Sequence, residues 1–365
     1  MMYEGPAVVR PLKLPENRRI LVVSDIHANM PYFKGLLKKA NFSDRDELII
    51  DGDFLEKGAD SLGTLRYIME LSKKGNVHTV CGNCDYWFHI FSENEAFDEH
   101  ILHYILHNKK GIIWDMCNAS GIDLFEIDSF TACKRELFNA FKEEWRFLAH
   151  LPNVLETENF IFAHAGIDPA KPLSEQSLEE VTRCPAFLTS GRSFDKWVIA
   201  GHWPVMLYGT DRVCANPIVD SVHKIVSIDG GCVLKDDGQL NALIIPDKYS
   251  DNFSFTAYDP FPERVVMDDQ QEGERSYYIR WGDSRVQVLE RGEEFSRCRH
   301  VRTGYEMDIL TKYLFTDNEY TDCNDCTDYI LPLKRGDVVR VVEECSRGYF
   351  VKHGGWSGWY YGELE

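Results

Sequence analysis

Short apolar runs recur along much of the chain, and most stop abruptly in polar residues. Ile20–Val23 (ILVV) runs into Ser24, Asp25 and His27, and Glu47–Asp51 (ELIID) into Gly52-Asp53. Val77–Cys81 is followed by Gly82-Asn83-Cys84-Asp85, and Asn159–Ala163 by His164-Ala165-Gly166. Trp197–Ala200 ends in Gly201-His202-Trp203-Pro204, and Ile225–Ile228 in Asp229-Gly230-Gly231. These runs are too short for helices and rich in branched side chains, which predicts buried strands. Leu240–Ile245 is a similar run without a polar end motif and is expected to close the sheet.

Helical periodicity lies between the first runs. Pro31–Ala40 reads as a short amphipathic helix, and Leu62–Lys73 places Leu62, Leu65, Ile68, Met69 and Leu71 at helical spacing. Strand–helix–strand alternation predicts parallel strands joined by right-handed crossovers. Tyr86–Leu151 breaks the rhythm: Leu137, Phe141, Trp145 and Leu148 predict a mostly helical insertion that could wall a cleft, most of its rings being core. Residues 17–250 are thus expected to form one domain, with this insertion at about 86–151. Residues 251–275 have the acidic, proline-containing character of a linker, as in Asp259-Pro260-Phe261-Pro262. Beyond them, Val338–Val342, Tyr349–Lys352 and Trp359–Tyr361, with glycine turns, predict a small β-barrel over 276–365.

Composition narrows the function classes. The 365 residues are 44% apolar, an ordinary globular value. Lys and Arg total 40 against 59 Asp and Glu, a formal charge of -19. So acidic a surface repels polyphosphate backbones and excludes a general nucleic-acid binder. No stretch has the roughly 18–20 apolar residues of a membrane span, so no membrane partner is expected. Residues 1–19 lack a signal-peptide core, and the 11 scattered cysteines fit free thiols in a reducing compartment, so a cytoplasmic location is expected.

In open α/β sheets the carboxyl ends of the strands share one edge, where ligands bind. That edge would gather Asp25, His27, Asp53, Asn83, His164 and His202. On an extended backbone Asp25 and His27, two apart, point the same way. The set offers oxygen and nitrogen donors suited to divalent transition metals. Asp229 equally fits a cleft residue or a turn cap. His100, His103 and His107 stand at helical spacing with no carboxylate motif and read as a helix face.

The ordered series Asp25-x-His27, Gly52-Asp53, Gly82-Asn83, His164-Ala165-Gly166 and Gly201-His202 resembles the calcineurin-like metallophosphoesterase superfamily. The resemblance implies a four-layer α/β/β/α sandwich and two divalent metal ions, manganese foremost, with iron, zinc, nickel or cobalt as alternatives. It implies that Asp25, His27 and Asp53 hold the first ion, and that Asp53, Asn83, His164 and His202 hold the second. A hydroxide bridging the ions would then attack a phosphate ester. Gly52-Asp53-Phe54-Leu55-Glu56-Lys57-Gly58 and Gly201-His202-Trp203-Pro204 resemble the phosphoprotein-phosphatase branch and its bacterial diadenosine-tetraphosphatase relatives. By that resemblance Asn83, Lys57 and Arg183 contact substrate phosphate. Lys57 replaces the branch's arginine, a point charge in place of a bidentate fork. Cys84 replaces the branch's histidine, which acts as the acid with the next acidic residue, here Asp85. Gly-Asn-Cys-Asp instead resembles a phosphodiesterase branch, although Pro204 departs from that pattern. Three readings therefore remain open. One is a phosphoprotein-phosphatase-like enzyme acting on a phosphoprotein or small phosphoester. Another is a phosphodiesterase or dinucleoside-polyphosphate hydrolase. The last is a catalytically weak metal-binding regulatory protein. Leu333–Val339 and Gly355–Trp359 resemble a Src-homology-3-like barrel, which implies a peptide or cell-wall ligand.

Overall fold

A computed structural model describes residues 5–86, 98–127, 129–317 and 320–365. Residues 87–97 of the expected helical insertion lie outside the described residues. The chain divides into two compact units. The first comprises residues up to Pro204, Pro217–Leu234 and Gly238–Asp259; the second comprises Val205–Asn216, Lys235–Asp237 and Pro260–Glu365.

The first unit contains two sheets. One is built from β1 (Val9–Pro11), β5 (Val154–Glu156), β6 (Phe160–Ala163), β7 (Trp197–Ala200), β10 (Ile225–Ser227) and β9 (Ile218–Asp220), in that spatial order. The other runs β12 (Ser254–Tyr258), β11 (Leu240–Ile245), β2 (Ile20–Val23), β3 (Glu47–Asp51) and β4 (Val77–Val80). Parallel pairing holds for β2–β3, β3–β4, β6–β7 and β7–β10, as the alternation predicted. The sheets are nonetheless mixed, since β5–β6, β9–β10, β2–β11 and β11–β12 pair antiparallel. Leu240–Ile245 does not close its sheet: it lies between β2 and β12.

The uninterrupted apolar runs follow from burial of both strand faces. Ile20 and Val22 of β2, Ile49 of β3, Phe160 and Phe162 of β6 and Trp197 and Ile199 of β7 meet between the sheets. The alternate residues point outward. Leu21, Val23, Leu48 and Ile50 pack under helices, while Ile161, Ala163, Val198 and Ala200 pack beneath Val181 and Phe187. The result is the four-layer α/β/β/α arrangement. Each fully buried Val, Leu, Ile or Phe among them contributes about 1.5–3 kcal/mol.

The covering helices of the second sheet are α1 (Met30–Lys39), α2 (Ser61–Ser72), α3 (Asp98–Asn108), α4 (Ile112–Ser120), α5 (Phe130–Ala140) and α6 (Lys142–Ala149). The Asp60 carboxylate caps α2 by accepting from Gly63 N at 2.8 Å, and α4 stops at Gly121 in a left-handed conformation. On the opposite face α7 (Leu178–Arg183) starts with a capping box of Ser177 and Glu180. His103 and His107 of α3 are exposed, as a helix face requires.

The second unit is antiparallel throughout its paired strands. β13 (Glu263–Val265), β21 (Val338–Cys345), β22 (Gly348–His353), β23 (Trp356–Tyr360) and β8 (Val213–Cys214) form one sheet. β17 (Glu306–Leu310), β16 (Phe295–His300), β15 (Arg285–Glu290), β19 (Tyr320–Cys323) and β18 (Leu314–Asp317) form another, and β14 (Tyr278–Ile279) pairs with β20 (Cys326–Thr327). The region is consistent with a small barrel domain. Within 251–275, β12 belongs to the first unit and β13 to the second.

Candidate metal centre

Backbone geometry builds the site before any side chain does. β2 stops at Val23, and Asp25 and His27 adopt φ of 54° and 47°, not the extended backbone expected of them. The loop is held by bonds to the loop after β3: Asp25 N donates to Gly52 O at 3.1 Å, His27 N to Asp53 O at 2.9 Å and Ala28 N to Phe54 O at 2.9 Å. Asp53 and His202 also lie at positive φ, 50° and 64°. Left-handed backbone at non-glycine residues costs about 1–2 kcal/mol each and persists where its surroundings enforce it, commonly at functional sites. Glycine is required where the loops touch the carboxylates. A Cβ at Gly82 would strike Asp53, and one at Gly201 would strike the Asp25 carboxylate.

Asp53 is the hub. Its Oδ1 accepts from Cys84 N at 2.8 Å and lies 3.3 Å from His164 Nε2. Donor atoms of His27, Asp53 and Cys84 lie within 4.8 Å of one another, and so do those of Asp53, His164 and His202. Asp53 belongs to both groups. Asp25 joins them: its Oδ1 is 3.7 Å from His27 Nε2, and its Oδ2 accepts from His202 N at 2.9 Å. His164 Nδ1 is paired with the Asp51 carbonyl at 2.9 Å, which turns Nε2 inward. The Asn83 amide nitrogen, once correctly oriented, is 2.9 Å from His202 Nδ1 and 2.9 Å from the Thr182 carbonyl.

The carboxylates and imidazoles of the cluster act on one another electrostatically. Burial raises the Asp25 carboxyl to about 6, with Asp53 adding to the rise and His164 opposing it. Burial also pushes Asp53 up, yet the imidazoles of His164, His27 and His202 outweigh it and hold that carboxyl below the usual range. Burial lowers His202 to about 3, reinforced by His164. Asp25 Oδ1, both ring nitrogens of His27 and Asp229 Oδ2 are buried without hydrogen-bond partners among the described residues. Orphaned oxygen and nitrogen donors beside paired histidines fit divalent cations.

The other expected residues are placed as follows. Asp85 is buried, and its carboxylate accepts from the backbone of Asp53 (2.8 Å), Phe54 (3.1 Å), Leu55 (3.0 Å) and Gly82 (2.9 Å). Both oxygens are directed to the backbone, which makes Asp85 a positioning residue for the Asp53 loop. Lys57 is exposed and 3.5 Å from the Tyr104 hydroxyl, with Cys84 among the groups that raise its pKa against the opposing effect of burial. Exposed Arg183 acts electrostatically on His202. Three further acids, Asp51, Glu56 and Asp229, are buried. Burial holds Asp51, the last residue of β3, at about 8. Asp229, which equally fits a cleft residue or a turn cap, is raised by burial and Asp25 and accepts from Gly231 N at 2.8 Å. Glu56 enters the sequence pattern only as a member of the Gly52–Gly58 motif.

Residues 18–229 match the family model described as calcineurin-like phosphoesterase. The chain belongs to the calcineurin-like phosphoesterase family. It is, by that membership, a metal-dependent hydrolase of phosphoester bonds. Among curated relatives, it is 22% identical over 256 residues to an asymmetrical bis(5'-nucleosyl)-tetraphosphatase of Oceanobacillus iheyensis, covering 63% of this chain and 90% of that one. It is 43% identical over 203 residues to a symmetrical bis(5'-nucleosyl)-tetraphosphatase of Buchnera aphidicola, covering 53% of this chain and 63% of that one. A solved protein serine/threonine phosphatase from Saccharomyces cerevisiae superposes with a TM-score of 0.42 at 12% identity, covering 70% of this chain and 84% of that one. No helix among the described residues is long and apolar enough to cross a membrane.

Proposed function

We propose that this phosphoesterase works with two divalent ions that share Asp53, and that its substrates are dinucleoside polyphosphates. The observation that carries the two-ion reading is the membership of Asp53 in both donor groups. In this reading Asp25, His27 and Asp53 hold one ion, and Asp53, Asn83, His164 and His202 hold the other. When bound, such a pair neutralises charge on a phosphoryl group and lowers the pKa of water. The chain's own part is placement. The Asp51 carbonyl orients His164, and the Asp85 carboxylate fixes the backbone on either side of Asp53. Lys57 and Arg183, exposed near Cys84 and His202, attract the substrate's phosphates in an otherwise acidic chain.

The names of the relatives favour the dinucleotide substrate. The phosphoprotein reading rests on the Gly52–Gly58 motif, in which Lys57 supplies less phosphate geometry than arginine would. For the second unit a Src-homology-3-like peptide-binding role is supported by the aromatic rings of Trp359 and Tyr361, stacked 6.4 Å apart. The test is a metal-loaded substrate panel of diadenosine tetraphosphate, a phosphoserine peptide and a phosphodiester. Preferential, chelator-sensitive hydrolysis of the dinucleotide is expected. Turnover of the phosphopeptide alone would overturn the substrate assignment, and turnover of none would favour a metal-binding protein without catalysis.

A further inference from the structure

We propose that Cys84 is a protein ligand of the first metal ion, its sulfur joining Asp25, His27 and Asp53. This rests on the reading that a metal occupies that position. Family resemblance gives that ion only oxygen and nitrogen donors from the protein and assigns the Cys84 position to a proton donor. The geometry points elsewhere. The sulfur of Cys84 stands within 4.8 Å of donor atoms of both His27 and Asp53. Asp25 adjoins this three-residue group through His27, whose Nε2 is 3.7 Å from Asp25 Oδ1. Ligand atoms held about 2.0–2.3 Å from one ion stand roughly 3.3–3.8 Å apart. The His27, Asp53 and Cys84 donors therefore close on an ion with movements of about 1 Å.

Cys84 is also held in place. Its N–H donates to Asp53 Oδ1 at 2.8 Å, and the preceding turn is tied by Gly82 N to Asp85 Oδ2 at 2.9 Å. The residue is only 5% exposed, so solvent has little access to it. Binding would convert the thiol to a metal thiolate, with one proton released to solvent for each ion bound. A thiolate is a soft donor, so this position should favour zinc, cobalt or iron over manganese or magnesium.

The experiment loads metal-free full-length protein with two equivalents of cobalt(II) and records its electronic spectrum. A near-ultraviolet thiolate-to-cobalt charge-transfer band is expected. Cys84→Ser should abolish it while the visible bands of the remaining cobalt persist, and Cys81→Ser should leave it intact. In competition, Cys84→Ser should shift the zinc-over-manganese preference by about 10-fold or more. X-ray absorption on the zinc-loaded wild type, which needs no variant, should show a sulfur at about 2.3 Å. If the protein binds two cobalt ions and hydrolyses phosphoesters without the band, or the band survives in Cys84→Ser, ligation by Cys84 is wrong and the phosphoesterase reading stands. Wild-type protein that binds no cobalt overturns both.

Discussion

Asp53 is crowded by choice of neighbours rather than by chance. Glycine at 82 admits its carboxylate, Cys84 N and His164 Nε2 converge on one oxygen, and its own N–H is taken by Asp85. Asp85 should therefore act through structure. Asp85→Ala strands four buried backbone N–H groups, each costing about 1–3 kcal/mol, so a loss of at least about 4 kcal/mol is expected in denaturant unfolding. An Asp85→Ala protein of unchanged stability would refute the positioning role. Glu56 makes a pH-dependent prediction. Burial raises its carboxyl to about 7 from the ordinary 4.5, opposed by the Ile112 N–H that its Oε1 accepts at 2.8 Å. Its neutral form is favoured in the fold, so its contribution is fully present below about pH 4.5 and is lost as pH rises to about 7. Glu56→Gln should thus gain stability over wild type at pH 8, by at most about 3 kcal/mol, and show no gain at pH 4. Paired thermal melts at the two pH values check this, and an equal difference at both would contradict it.

Helices α2 and α4 cap one another across more than 50 residues of sequence. Asp115 of α4 accepts from Ser61 N at 2.7 Å and Leu62 N at 3.1 Å, at the start of α2. Glu56, just before α2, accepts from Ile112 N at the start of α4, whose N-cap Gly111 has no side chain to offer. Asp115→Ala should cost about 1–2 kcal/mol, the usual value of a lost cap, read from denaturant melts. Sequence reasoning could not see this exchange, because cap signals are sought within three residues of a helix start. The strand ends were legible for the opposite reason. A run such as ILVV, buried on both faces, ends where its chain must turn, so the polar residues after it mark the sheet edge. The left-handed backbone at Asp25 and His27 was not legible, since it is imposed by the neighbouring loop at Gly52–Phe54. Nor were β1, β5 and β9, which carry too few residues to register as a pattern.

At the scale of the whole molecule, the second unit is not a simple appendage. It draws Val205–Asn216 from immediately after the His202 motif, and β8 in that segment pairs with β23, Val213 opposite Ser357 and Cys214 opposite Trp356. Met206, Val213 and Ala215 are buried together with Tyr278. A chain cut after residue 259 would leave these apolar residues without their cover. We expect it to aggregate or melt well below the full-length protein, with light scattering and calorimetry as the checks; a stable, monomeric 1–259 would contradict that expectation. The central claim, a two-ion centre hinged on Asp53, has a more direct test. Elemental analysis of purified, metal-reconstituted wild type and Asp53→Asn, with the fold verified by circular dichroism, counts ions per chain. The account predicts two ions in the wild type and loss of both in the folded variant, with hydrolysis falling by more than about 100-fold. A folded Asp53→Asn protein that still holds two ions would contradict it.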